Sequence, residues 1–180
     1  MVVALAGCAQ TSQELRLAPR VELDDSAVGD NVTVAVTVDD PRSDTALGQL
    51  SNGSAEPVPL TSATPPRYLV RAAVEEALTG SGFTIADNDS ATARLKVIIE
   101  SIDHRVSAGV PRDITTNVAL TARARRDGRV LGNEASVRRT DTAVLRPDAR
   151  GNARYLDAAI GRALERLLNE ETLAFLAGDA

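Results

Sequence analysis

At 180 residues and 18.9 kDa, with 43% hydrophobic and 25% charged residues, the chain suits one globular domain with a proper core and is too apolar to be disordered. A net charge of −5, a pI near 5.0 and an aromatic content of 2% supply neither a basic footprint nor stacking platforms, so nucleic acid is not an expected partner. One cysteine and one histidine exclude an internal disulfide framework and any zinc site built on two imidazoles.

The cysteine comes first in chain order. Leu5-Ala6-Gly7-Cys8 resembles the lipobox of bacterial lipoproteins, in which the signal is cut before the cysteine and the sulfur carries lipid. Residues 1–7 then read as the remnant of a signal peptide. Val2 to Leu5 are the end of its apolar region and no basic residue lies upstream, so a late-assigned start or a trimmed segment is expected. The lipobox implies a diacylglycerol thioether and an N-acyl chain, such as palmitate, on Cys8. Each buried methylene contributes about 0.8 kcal/mol and one chain binds only marginally, so two or more chains are what hold a protein stably. No run of about 20 apolar residues exists to span a bilayer. Ala9 and Gln10, rather than Asp, follow the cysteine and point to the periplasmic face of the outer membrane. The expected organisation is a signal remnant over 1–7; a lipidated cysteine, polar tether and short edge strand over 8–30; and one globular domain over 31–180.

From Leu15 the chain alternates. Leu15, Leu17, Val21 and Leu23 keep a period of two, and Pro19, which donates no ladder bond, marks a short edge strand. Val32 to Val38 is a strong strand, with Val32, Val34, Val36 and Val38 on one face and Thr33, Ala35 and Thr37 on the other. The acidic turn Asp39 to Asp44 ends it. Asn52-Gly53 then suits a hairpin between two short extended pieces within 47–60. A helix follows Thr64, its expected cap, with Pro65 in the first turn and Leu69, Val70, Ala73, Val74, Ala77 and Leu78 on its apolar side; Gly80 and Gly82 stop it. Residues 93–106, apolar on both faces at their middle, predict a central strand. Residues 114–126 alternate, with Val118, Leu120, Ala122 and Ala124 inward, and Asp127-Gly128 turns the chain into a partner strand over 129–140. A last helix spans 151–168, and 169–176 extends or kinks it. The expected fold is α+β: a mainly antiparallel sheet of about four to five strands with two helices on one face.

The lipobox, the stretch Val34 to Gly48 with Asp40, Arg42, Asp44 and Leu47, the helix Arg67 to Gly82 and the Asp-Gly hairpin before a final helix are together similar to the YajG-like bacterial lipoproteins, over nearly the whole chain. The resemblance implies an outer-membrane-associated periplasmic lipoprotein with no established enzymatic activity.

Chemistry-bearing residues are sparse. His104, beside Asp103 and Arg105 near the end of its strand, reads as a solvated surface residue and not a catalytic base. The Gly-Ser pieces at 48–53 and 80–82 do not fit a nucleophile elbow, and the Asp clusters at 39–44 and 87–89 lack the spacing of a calcium loop, so no cofactor or metal is expected. Arg42, set among Asp39, Asp40 and Asp44, reads as a structural clamp able to form bidentate bonds. Charge is uneven: residues 1–60 hold three Arg against nine acids, and residues 112–150 nine Arg against five. Arg123, Arg125, Arg126, Arg129, Arg138 and Arg139 are expected to form a compact positive patch that meets an envelope protein or an anionic glycan. The expected function is that of a lipid-anchored, non-enzymatic binding or accessory module. A carboxylate-dependent hydrolase of envelope material and a carrier of a small apolar ligand are the alternatives.

Overall fold

The computed structural model describes residues 12–23, 28–53 and 55–179; Cys8 lies outside them. In chain order the elements are β1 (Gln13–Leu15), β2 (Thr33–Asp39), β3 (Gly48–Asn52), β4 (Ala55–Ser62), α1 (Pro66–Gly80), β5 (Thr84–Ile85), β6 (Ala93–Val106), β7 (Arg112–Arg126), β8 (Arg129–Ala143), α2 (Ala149–Leu167) and α3 (Glu170–Ala177).

The long strand β6 organises the sheet. Along one edge it pairs antiparallel with β7, which pairs in turn with β8. The opposite edge is divided between two parallel neighbours: β2 lies against its first half, from Val34–Ala93 to Asp39–Ile98, and β3 against its last residues, from Gly48–His104 to Leu50–Val106. Beyond β2 lies β5; beyond β3 lie β4 and β1. The sheet therefore forks into two leaves held together by β6. This corrects the expected mainly antiparallel sheet of four to five strands: eight strands are present among the described residues, and the sheet is mixed. The two short extended pieces expected within 47–60 are the hairpin β3–β4, turned through Gly53 at φ +68°.

A bulge sits at the fork. Between Ile99 and Ser101 the register of β6 against β7 slips by one residue. Before it Ala93, Leu95, Val97 and Ile99 face inward; after it Ile102, His104 and Val106 do. A one-residue slip exchanges the two faces of every position that follows.

Three helices, not two, cover one face of the sheet. Helix α1 packs against β2, α2 against β7 and β8, and α3 against β7. Leu95, Ile99, Leu120, Leu156, Ile160 and Leu164 are fully buried between the layers. The last segment is a separate helix because the Asn169 side chain accepts from the Thr172 amide (3.0 Å) and starts a new first turn. Helix α1 begins at Pro66 with Pro65 as its cap, one residue later than the Thr64 cap allows; the Thr64 carbonyl instead accepts from the Ser62 hydroxyl. Asp127 and Gly128 both take positive φ, as the two-residue β7–β8 turn requires.

The stretch expected to form a short edge strand after the tether belongs to the folded body. β1 pairs in parallel with β4, and residues 16–23 run on beside α1 and α2 with Leu17 and Pro19 buried. The Ala18 amide donates to Asp157 Oδ1 (2.8 Å), and Gly161 lets the Arg20 carbonyl approach α2 where a Cβ would collide with it.

Candidate functional site

The face of the sheet away from the helices is polar and open. On β7 it carries Thr115, Asn117, Thr121, Arg123 and Arg125, each alternating with a buried neighbour, and on β8 every outward residue is exposed. Two shallow hollows mark it. One, of about 490 Å³, lies under the 40–47 loop where β2 gives way to β3, lined by Arg42, Asp44, Gln49, Ser101, Asp103 and Arg105 among others. The second, of about 560 Å³, shares Gln49 and Arg105 and continues over Thr115, Asn117 and Arg138.

Within the loop the four clamp residues separate into three arrangements. Arg42 grips Asp40 with both forks, Nε to Oδ1 at 2.6 Å and Nη2 to Oδ2 at 2.7 Å, and its Nη1 donates to the Ala46 carbonyl (3.4 Å). Both side chains are nearly buried, at 9% and 4% exposure, and the guanidinium holds the Asp40 carboxyl below the usual carboxylate range. Asp39 instead pairs with Lys96 (2.6 Å), and Asp44 accepts from the Ala46 amide (2.8 Å) in an Asx turn. Gly48 ends the loop at φ +137°, so close to β6 that a Cβ would strike the His104 backbone.

The six hairpin arginines do not form one compact patch. Arg126 reaches the helix side, where its guanidinium donates to the Leu176 carbonyl at the end of α3; Arg129 lies 5.6 Å over the Phe175 ring; Arg139, bonded to Asp141, borders the hollow with Asp157 and Arg162. Arg123, Arg125 and Arg138 point to the open face. Arg138, level with Asn117, stands eight residues from Arg125 along β7, about 26 Å at 3.3 Å per residue. The register supplies other company: Arg94 stands directly opposite Arg125, and Lys96 opposite Arg123. These four cations make the real cluster, at the hairpin end of the open face. Arg123 and Arg125 take no side-chain hydrogen bond or ion pair among the described residues, whereas Arg94 donates to the Asn88 carbonyl (2.7 Å) and Lys96 holds Asp39.

His104 corrects a second expectation. It is 0% exposed, not solvated, because the bulge turns it inward. Asn152 spends its amide hydrogens on Gln13 Oε1 (2.8 Å) and the Pro147 carbonyl (3.3 Å), so its Oδ1 accepts from His104 Nε2 (3.1 Å). The imidazole is then the Nε2–H tautomer, and Nδ1 accepts from the Thr116 hydroxyl (2.8 Å). Tyr155 stacks on the ring with centroids 6.0 Å apart. Burial pushes the His104 pKa below its ordinary 6.5, in keeping with a neutral ring. The network ties β1, β6, β7 and α2 together. Its members left one trace in the sequence: Asn152 falls on the apolar stripe of α2, four residues before Leu156.

Among the described residues no group of three His, Cys, Asp or Glu side chains is placed to hold a metal. Asp157, raised by burial, is occupied with the Ala18 amide, and the hollows beside residues 18–23 are bordered by Glu22, Arg162 and Glu165, with Leu23, Val28, Leu168 and Leu173 lining one of them.

An α+β body of this build has known counterparts. A family described as "uncharacterized lipoprotein" matches residues 19–177, and the chain belongs to that family. It is 29% identical over 135 residues to the uncharacterized lipoprotein YajG of Escherichia coli K12, covering 72% of this chain and 68% of that protein, and equally so to YajG of E. coli O6:H1. In three dimensions it resembles protein XCC0632 from Xanthomonas campestris, with a TM-score of 0.65 over 93% of this chain and 96% of the other; at 13% identity the likeness is one of fold. Membership makes the chain a lipoprotein, a membrane-anchored protein of the cell envelope.

Proposed function

We propose that the protein is a non-enzymatic binding module, anchored through acylated Cys8 to the periplasmic face of the outer membrane, that captures an anionic envelope partner on the open face of its sheet. The observation that carries this is the pairing of like charges, Arg94 with Arg125 and Lys96 with Arg123, across neighbouring strands. Like charges directly opposed destabilise a sheet, and an anion bridging them removes the repulsion while gaining charge-assisted bonds. Family membership and the Leu-Ala-Gly-Cys motif support the anchor.

Photo-crosslinking in cells from position 125 on the open face and position 129 on the helix side tests the reading. A product from 125, absent from 129 and lost with Arg123→Glu, is expected; products only from 129 or from the outer sides of the helices overturn it. Whether the captured species is a protein or a glycan shows directly in the product's mass and protease sensitivity.

A further inference from the structure

We infer that the end of the sheet opposite the Asp127-Gly128 turn rests on the bilayer, with Val110, Val144 and Leu145 dipping into its surface, so that the cationic cluster faces away from the membrane. This rests on Cys8 being the anchor.

The first observation is the direction in which the chain leaves the body. β1 runs parallel to β4, β4 antiparallel to β3, and β3 parallel to β6, so β1 runs against β6. Gln13 stands level with His104, through Leu60 and Gly48, and from Leu15 back to Gln13 the strand heads toward the Val106 end of β6, away from Ala93 and the hairpin turn. Four residues lie between Cys8 and Gln13, and even fully extended the five steps from one to the other span no more than about 18 Å. From the level of Gln13 to the hairpin end of β6 is eleven residues, about 36 Å. A body so tethered can stand on its near end or lie on its side, but it cannot stand on its far end.

A second and independent observation selects the standing pose. Among the described residues five large hydrophobic side chains are prominently exposed, and three of them sit at the near end: Val110 (74%) in the β6–β7 connection, and Val144 (72%) and Leu145 (81%) just after β8. The register brings them together, since Arg112, two residues after Val110, pairs with Ala143, immediately before Val144. Arg146 donates to Asn52 Oδ1 at the β3–β4 turn (3.3 Å), which places that turn at the same end. Charge there is balanced, with Arg112, Arg146 and Arg150 against Glu56, Asp113 and Asp148, so the contact is apolar and tolerates salt. Side chains of this kind at a membrane-facing edge enter the boundary between headgroups and acyl chains.

The chain has no tryptophan, so Leu145→Trp and, at the far end, Val130→Trp each supply a single reporter at an exposed position. Cys8 is the only cysteine, and a maleimide phospholipid coupled to it provides the anchor whether or not the cell acylates the native protein; native acylation is read separately from the mass of the N-terminal peptide. On phosphatidylcholine vesicles carrying brominated lipid, emission from Leu145→Trp should shift to the blue and be quenched several-fold more than that from Val130→Trp, with no change in high salt. Equal quenching of both, quenching of Val130→Trp alone, or quenching of neither overturns the inference. An unmodified native Cys8 overturns the anchor reading instead.

Discussion

The two faces of this sheet handle polar residues in opposite ways. On the helix side His104, Thr116, Asn152 and Gln13 exchange hydrogen bonds within a closed set, and Arg126 is committed to the end of α3. On the open side Arg123, Arg125 and Arg138 take no bonded partner among the described residues, and two pairs of cations oppose each other across strands. A buried polar group must be satisfied by the fold or it costs stability; an exposed one can be left for something else. The difference teaches where structure ends and function begins in this sheet.

Substitutions at four positions break or sharpen that contrast. The largest effect belongs to Gly48, where the faces meet: Gly48→Ala places a side chain at φ +137° against the His104 backbone, and chemical denaturation should show a loss of about 3 kcal/mol or more. His104→Ala follows at about 3 kcal/mol, since it opens a cavity and leaves Asn152 and Thr116 without their partner. The same residue makes stability depend on pH. Its folded pKa lies below 6.5, so the unfolded chain binds the proton first, and stability that is complete above that pH should fall as acid is added through the window beneath it; His104→Gln should flatten the fall. Arg42→Ala should cost about 1 to 3 kcal/mol, because it strands the nearly buried Asp40 carboxylate. A variant that is as stable as the parent would transfer Arg42 from the structural side of the comparison to the functional side. The smallest effect is expected at Arg125→Ala, within about 0.5 kcal/mol by thermal melting, while crosslinking to the partner falls.

Those expectations also show which features were legible in the sequence. The long strands were: residues 93–106, apolar on both faces at their middle, coincide with β6, and the hairpin through Asp127-Gly128 was placed by turn chemistry. The fork was not, because β3 finds its partner more than fifty residues away in parallel, and nothing local to residues 48–52 announces such a pairing. His104 was misplaced for a definable reason. Carrying the inward positions Ala93, Leu95, Val97 and Ile99 forward puts Ser101, Asp103 and Arg105 inside and His104 outside; the bulge reverses this, and one extra residue leaves no mark in composition. The arginines were correctly seen to alternate, yet alternation along one strand cannot reveal that Arg94 and Lys96 stand across from them or that Arg126 and Arg129 turn toward α3.

β1 is only three residues long, but in the anchored molecule it is where mechanical load enters. A pull applied along the axis of β1 from the Gln13 end tries to slide β1 past β4 rather than peel it off, and the pairs Gln13–Leu60, Glu14–Thr61 and Leu15–Ser62 must fail together. The next restraints are the Ala18 amide on Asp157 and the Arg20 carbonyl lodged against Gly161. A pull arriving from the N-terminal side thus meets a short shear joint and then a strap beside two helices before it reaches the long β6–β7–β8 ladder.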